Sequence, residues 1–196
     1  MFKSSSRACA VLASALLLAA ASPRPAAAIW TFFTEEEAVK AAFTAGETVV
    51  EIDWELMSKD TKKEIETRVG QSLVFRRTKC FQGSKAGAVA GYACIDNVIG
   101  RSKPITYLFK VNHPKGDVAQ YEIMVYREEI GKETGWGPFR EQFYGKKLGE
   151  PFQYGNDLRN YSGATLSANG LRDGFVRLLV VYEQFFKGLP VLSKHG

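Results

Sequence analysis

The most apolar part of the chain lies at its beginning. An unbroken run of small and apolar residues extends from Ala8 to Ala21. The seven residues before it include basic residues and no acidic one. These fourteen residues are fewer than the roughly 20 that span a bilayer. Three alanines at 26–28 supply the small residues that a signal peptidase requires. The pattern predicts a signal peptide over residues 1–28, cleaved after Ala28, with an uncleaved N-terminal anchor as the alternative.

Helical and extended patterns follow one another after the signal peptide. Thr34 and the three glutamates behind it have the spacing of a capping box, and apolar positions follow at helical spacing. Residues 48–52 alternate between apolar and polar, which is typical of a strand. The elements predicted here are a helix from Thr34 to about Thr44, a strand over 48–52, and a charged helix from Ser58 or Asp60 to Gly70.

Two hairpins are predicted in the middle of the chain. Runs at 73–81 and 88–96 are separated by a Gly/Ser/Lys turn that we place at 82–85. Runs at 105–112 and 118–126 flank a His-Pro-Lys-Gly-Asp turn. Both pairs of runs therefore predict antiparallel strands.

The last predicted element is an amphipathic helix, preceded by a short helical piece around 138–144. Its apolar positions recur at helical spacing, while charged residues occupy its other faces. The apolar positions are Leu171, Phe175, Leu178, Leu179, Tyr182 and Phe186. Hairpins followed by a loop and a packed helix predict an α+β fold. We expect a single domain over 29–196, with a mainly antiparallel sheet and flanking helices.

The formal charge changes when the signal peptide is removed. Loss of residues 1–28 takes away three basic residues and no acidic one, so the charge falls from +5 to +2. The basic isoelectric point therefore gives no argument for binding nucleic acid, and we expect no such partner. The chain that is left is long enough for one domain with a core of its own.

Two cysteines lie in the first predicted hairpin. An oxidising compartment would permit a bond between Cys80 and Cys94, and closing so short a loop would stabilise the fold by about 3 kcal/mol. A tight hairpin turning at 82–85 would instead place Cys80 opposite Gly87. The predicted register therefore disfavours the bond, which would need a longer loop.

No catalytic or metal-binding set stands out in the sequence. Neither His113 nor His195 neighbours a candidate nucleophile, and two cysteines with two scattered histidines do not form a ligand set. No glycine-rich dinucleotide fingerprint follows a predicted strand. We therefore expect no metal site and no self-contained reductase.

The segment 162–167, Ser-Gly-Ala-Thr-Leu-Ser, carries the most distinctive chemistry. It lies just before the last predicted helix, where unpaired N–H groups and a partial positive charge favour a phosphate. Two small residues keep bulk away, and three hydroxyls are available. By composition alone the segment is an anion-binding loop or an ordinary helix cap.

These six residues resemble the flavinylation motif of the FMN-binding domain family. That family includes the covalent-FMN subunits of the sodium-translocating NADH:quinone reductase and of the Rnf complex. Its threonine carries FMN through a phosphoester bond, which a separate flavin transferase makes from FAD. The resemblance implies that Thr165 is the attachment residue. It implies cofactor-binding roles for the neighbours Ser162, Gly163, Ala164, Leu166 and Ser167.

The resemblance extends over about 73–186. The matching segments are 91–92, 96–100, 104–106, 126–131 and the positions Phe139, Gln142, Phe143, Gly145 and Lys146. Within them, Glu128 and Gln142 are implied to help shape the flavin site, with a solvated acid and a surface amide as alternatives. Four aromatic residues could stack on the flavin ring or belong to the core: Trp136, Phe139, Phe143 and Tyr144.

One position departs from the family pattern. The family usually has an aspartate six residues before the modified threonine, and this chain has Arg159 there. Asp157 could replace that aspartate only if the loop changed register. Alternatively, Arg159 could pair with the phosphate of a non-covalently bound FMN.

The signal peptide pattern predicts export to the periplasm, and the resemblance implies a flavoprotein that transfers electrons. Its partners would be a flavin transferase and redox proteins, either soluble or membrane-bound. Two other function classes stay open. One is a module that feeds electrons to a reductase site on another chain, and the other is a flavin-free exported binding domain.

Overall fold

The computed structural model describes residues 29–73, 77–135, 137–159 and 161–193. The predicted signal peptide, Trp136 and His195 lie outside these ranges. None of the described helices combines the length and the apolar character needed to cross a bilayer.

An antiparallel sheet of six strands forms the centre of the fold, and it confirms the predicted α+β class. The strands are β1 (Trp30–Thr31), β2 (Thr48–Glu51), β3 (Lys79–Lys85), β4 (Ala88–Ile99), β5 (Pro104–Asn112) and β6 (Val118–Tyr126). Their order across the sheet is β1-β6-β5-β4-β3-β2. Sequential strands are therefore neighbours, except that β1 pairs with β6 at one edge.

Local signals predict the first two helices to within two residues at each end, whereas the third ends three residues earlier than predicted and the last begins inside segment 162–167, which was expected to precede it. They are α1 (Glu35–Ala42), α2 (Lys59–Val69), α3 (Gly137–Glu141) and α4 (Thr165–Gln184). Thr34 and Glu37 form the predicted capping box at the start of α1. Ser58 caps α2, and Gly70 ends that helix with a left-handed φ of 69°, which a glycine adopts without steric cost.

The two faces of the sheet bury separate cores. On one face, side chains of the central strands such as Tyr107 and Phe109 pack against α4, and Ile65 of α2 joins the same cluster. On the other face, Leu108 and Met124 pack against α1. Because successive side chains of a strand point to opposite faces, both surfaces of the central strands are apolar.

The turn of the first hairpin differs from the prediction. It consists of Ala86 and Gly87, whose φ angles of 51° and 79° are both positive, as a two-residue turn with the strand twist requires. The strands therefore extend through 82–85, where the sequence predicted the turn. Gln82 is a buried strand residue instead of a turn residue.

Cys80 and Cys94 lie directly opposite each other and are joined by a disulfide bond, with their Cα atoms 4.1 Å apart. The register at the turn alone would place Cys80 opposite Ala93. Ala90 has no partner across the hairpin, and this bulge shifts the register by one residue. The predicted pairing of Cys80 with Gly87 is wrong.

Candidate functional site

The Ser-Gly-Ala-Thr-Leu-Ser motif straddles the start of α4 instead of lying in front of the helix. Thr165 is the first helical residue, and Ala164 is the N-cap. The Ala164 N–H donates to the Tyr161 carbonyl at 3.0 Å, and its carbonyl accepts from the Ala168 N–H at 2.8 Å. Gly163 has a φ of 83°, a conformation that favours glycine, and it turns the chain into the helix.

The six residues of the motif divide into an exposed and a buried set. The exposed set is Ser162, Gly163, Thr165 and Leu166, and the buried set is Ala164 and Ser167. Leu166 is 56% exposed, whereas Ala164 and Ser167 are only 1% and 3% exposed. The Thr165 side chain is therefore accessible, while its two buried neighbours anchor the helix start to the domain.

Ser167 is held by the end of β6. Its Oγ lies 3.1 Å from the hydroxyl of Tyr126, which donates to the Ile130 carbonyl at 2.5 Å. Gly131 and Gly100 face this group closely, since a Cβ at either position would come within 3.1 Å of the Ser167 Oγ. Three segments of the chain thus meet around the buried hydroxyl of the motif.

Glu128 is buried beside this contact, at 5% exposure, so it is not a solvated acid. Its Oε1 accepts from the backbone N–H groups of Ser102 and Lys103 at 2.6 and 2.7 Å. Burial raises the pKa of the Glu128 carboxyl, but the N–H donors, with a further one from Arg101, outweigh burial and lower it. Glu128 therefore fixes the turn between β4 and β5 as a carboxylate.

Gln142 connects α3 with the loop that leads to the motif. Its Oε1 accepts from the Arg159 N–H at 2.8 Å. Its Nε2 is buried and has no hydrogen-bond partner among the described residues. The Gln142 amide is thus not simply a solvated surface group, because its Oε1 accepts a hydrogen bond from the backbone of Arg159 and holds that backbone in place.

Asp157 is already engaged in the loop before the motif. Its carboxylate lies 2.5 Å from Lys146 Nζ and accepts from the Gln153 N–H at 2.8 Å. Leu158, the next residue, is buried. A change of register that moved Asp157 to the position of Arg159 would break these contacts, so the residue six positions before Thr165 is Arg159 and not Asp157.

Arg159 itself is exposed. Its side chain forms no ion pair with any residue that the structure describes. A cation therefore lies six residues before Thr165, free to meet an anion.

The aromatic residues of this region lie mainly in the core. Phe139 and Phe143 are fully buried, and their ring centroids are 5.4 Å apart. Phe143 also contacts Phe175 of α4 edge to face at 5.0 Å. Tyr144 is 38% exposed. The core alternative holds for Phe139 and Phe143, and Trp136 lies outside the described residues.

Several residues of this site were not predicted individually. Tyr126 and Gly131 were part of a resembling segment, but no signal assigned them to a contact with Ser167. Exposed apolar side chains also occur in or near the first two turns of α4, where Ile130 lies close to Gly163 and Ile99 close to Gly170. Ile99, Ile130 and Leu166 are each more than half exposed. In the sequence, an exposed position of these three side chains is signalled only by their place next to a glycine or a turn.

The comparisons with known proteins give no evidence on the function of this chain. No protein-family model matches the chain, and no curated protein is significantly similar to it. Among the described residues, no group of three or more histidine, cysteine or acidic side chains could hold a metal ion.

Proposed function

We propose that this chain is an exported FMN-binding flavoprotein that transfers electrons, with FMN attached to Thr165 through a phosphoester bond. The observation that carries the proposal is the position of Thr165. It is an exposed hydroxyl residue at the first position of a 20-residue helix. A helix start carries a partial positive charge, which favours a phosphate.

The neighbours of Thr165 fit a bulky phosphate group. Gly163 is exposed, and among the residues that the structure describes a Cβ built there would have only Ile130 within 4 Å, at 3.8 Å. The N-cap Ala164 provides no side-chain cap for the helix amides. Backbone donors at the helix start are therefore not blocked by the N-cap side chain, and Ser162 adds an exposed hydroxyl nearby.

The attachment reaction would use FAD and a separate flavin transferase. The Thr165 Oγ would form a bond to the phosphorus of the FMN half, and the pyrophosphate bond of FAD would break. AMP would leave, and the hydroxyl proton would pass to a base of the transferase. Thr165 is exposed, as access by a second protein requires.

Bound FMN supplies the capacity to accept and release one or two electrons. The chain's own contribution would be to retain and orient the cofactor between a reduced and an oxidised partner protein. A covalent tether suits an exported protein, because a weakly bound cofactor is lost by dilution outside the cell. The disulfide between Cys80 and Cys94 supports export, since such bonds persist in oxidising compartments.

The test is co-expression of the mature chain with a flavin transferase, followed by a denaturing gel and intact mass measurement. We expect in-gel flavin fluorescence, and a mass increase of one FMN less one water. Thr165→Val keeps the shape of the side chain and should abolish both signals, whereas Ser193→Ala, the loss of an exposed hydroxyl outside the motif, should keep them. Fluorescence that survives in Thr165→Val would place the bond elsewhere.

A second candidate is non-covalent binding of FMN, which the exposed Arg159 favours. An arginine forms strong charge-assisted hydrogen bonds with phosphate. In that case native protein would be yellow and would lose its flavin on denaturation, with an unmodified polypeptide mass. Native protein that is colourless, and that shows no flavin fluorescence after denaturation, would contradict both candidates.

A further inference from the structure

β2 lies at one edge of the sheet, next to β3, and its outer side is open. The Ile52 N–H donates to the Cys80 carbonyl at 2.7 Å, in register with the pairs that β2 forms with β3. Because backbone groups alternate in direction along an antiparallel strand, those of Val49 and Glu51 point away from β3. Among the described residues, neither backbone has a hydrogen-bond partner on that side. The N–H and carbonyl groups of both residues therefore face an unpaired edge.

An apolar groove of about 730 Å³ runs beside this edge, between α1 and the sheet. Its apolar side chains are Val39 and Phe43 of α1, Val49 of β2 and Phe81 of β3. Successive side chains of a strand alternate between the two faces, so Val49 and Glu51 share the face that carries the groove. A strand added beside β2 would place every second side chain on that same face. The groove is therefore placed to receive apolar side chains from such a strand.

The open edge carries an excess of negative charge. Three of the four acidic residues in segment 47–55 are exposed, and the segment contains no basic residue. The four are Glu47, Glu51, Asp53 and Glu55. Lys79 of the adjacent strand is already paired with Glu35, at 2.6 Å. A second copy of this acidic edge would be repelled, whereas a basic segment would be attracted.

We propose that the free edge of β2 binds an extended, basic segment of a partner protein, which pairs with Val49 and Glu51 as a further strand. In this mode of recognition the main-chain hydrogen bonds give affinity, and alternate side chains give specificity. Apolar side chains of the segment enter the groove beside α1, and its lysine or arginine side chains meet Glu51 and the neighbouring acids. The proposal does not depend on flavin attachment, because none of these residues belongs to the motif at the start of α4.

A synthetic peptide tests the pairing on the mature chain. The probe is acetyl-Thr-Lys-Thr-Val-Thr-Lys-Thr-amide, which presents lysine, valine and lysine on one face of a strand. At about 1 mM peptide, enough to occupy a weak site, we expect hydrogen exchange of the Val49 and Glu51 amides to slow by about tenfold. Unchanged exchange of both amides would overturn the proposal.

Two N-methylated analogues of the peptide separate strand pairing from simple attraction between charges. Each analogue carries methyl groups on alternate backbone nitrogens, so one analogue blocks the N–H groups that face β2 and the other blocks those that face away. Only one of the two should lose binding. Equal binding of both analogues would show that the peptide does not pair with the edge, and it would overturn the proposal.

Variants of the protein test the same contacts from the other side. Val49→Pro removes an outward N–H and no bond to β3, so the fold should persist while peptide binding weakens by about tenfold. Glu51→Lys should weaken binding by about fivefold, because it replaces attraction by repulsion. The matched control is Glu141→Lys, an exposed site in α3, which packs against β6 at the other side of the sheet. Equal effects of the two lysine substitutions would overturn the role of the acidic edge.

Sedimentation of the unmodified chain without peptide tests whether a second copy occupies the edge instead. We expect a monomer, because two acidic edges repel each other. A dimer that Val49→Pro dissociates would overturn the proposal and make self-association through β2 the function of this edge.

Discussion

The hydroxyl oxygens of Tyr126 and Ser167 lie 3.1 Å apart in the interior and join the end of β6 to the first turn of α4. Each hydroxyl has one proton to donate. Because Tyr126 donates to the Ile130 carbonyl, Ser167 is the donor to Tyr126. The residue two positions after Thr165 is thereby tied to the sheet, and the helix start is held in a fixed place.

Ser167→Ala should destabilise the domain, whereas Ser162→Ala should not. The first change removes a buried hydrogen bond, and we expect the free energy of unfolding to fall by about 1 kcal/mol. The second removes an exposed hydroxyl of the same motif and should change it by less than about 0.5 kcal/mol. Urea denaturation of both variants measures the difference. Equal losses would show that the Tyr126 contact does not stabilise the helix start.

Glu128→Gln should weaken the turn between β4 and β5. A neutral amide is a poorer acceptor for the Ser102 and Lys103 N–H groups, so we expect a loss of about 1–3 kcal/mol at neutral pH. Glu129→Gln is the matched control, because Glu129 is exposed and next in the chain. A loss that Glu129→Gln reproduces would contradict a specific role of the buried carboxylate.

The stabilisation by Glu128 should also depend on pH in a defined direction. Its pKa is lower in the folded chain than the ordinary value of 4.5. The contribution is therefore fully present above pH 4.5 and is lost as pH falls through the lower folded value. The stability gap between the unmodified chain and Glu128→Gln should narrow below pH 4.5. A gap that widens in acid would mean that the folded pKa is raised.

Removal of the disulfide should cost about 3 kcal/mol, because the bond restricts the unfolded chain. Cys80→Ala combined with Cys94→Ala avoids a leftover thiol, and it should lower the denaturation midpoint. Adding a reducing agent to the unmodified chain should lower its denaturation midpoint by a similar amount. Alkylation of both cysteines in protein that has been unfolded without a reducing agent would contradict the bond.

Elements with local signals could be predicted from the sequence. Thr34, Ser58 and Gly70 mark helix ends because caps depend on residues within one turn. The second hairpin was predicted within a residue of its observed bounds, because a His-Pro-Lys-Gly-Asp turn separates its strands. These signals act over a few residues, so they can be recognised without the tertiary structure.

The register of the first hairpin could not be predicted in this way. The positive φ of Ala86 has no sequence signal as strong as an Asn-Gly turn. The bulge at Ala90 adds one residue and changes which side chains face each other. Both features were needed to bring Cys80 opposite Cys94, so the sequence alone gave the wrong pairing.

The candidate site was predictable in part. The amphipathic pattern predicted a helix directly after segment 162–167, but α4 begins within that segment, at Thr165. The ties of Glu128 to residues 102–103 and of Ser167 to Tyr126 join segments that are distant in the sequence. Such contacts depend on how the strand ends meet the helix, which no local pattern encodes.

Arg159→Asp should increase covalent attachment of FMN if a transferase reads an aspartate at this position. The Arg159 backbone is fixed by Gln142, and its side chain is exposed, so the change should not disturb the loop. We expect a larger flavin-carrying fraction at a fixed time of reaction with transferase and FAD, measured by intact mass. Arg159→Gln separates loss of the cation from gain of the carboxylate, and it should give a smaller increase than Arg159→Asp. If both variants take up less flavin than the unmodified chain, the arginine is itself the phosphate ligand, because removal of its charge then weakens binding before the bond can form.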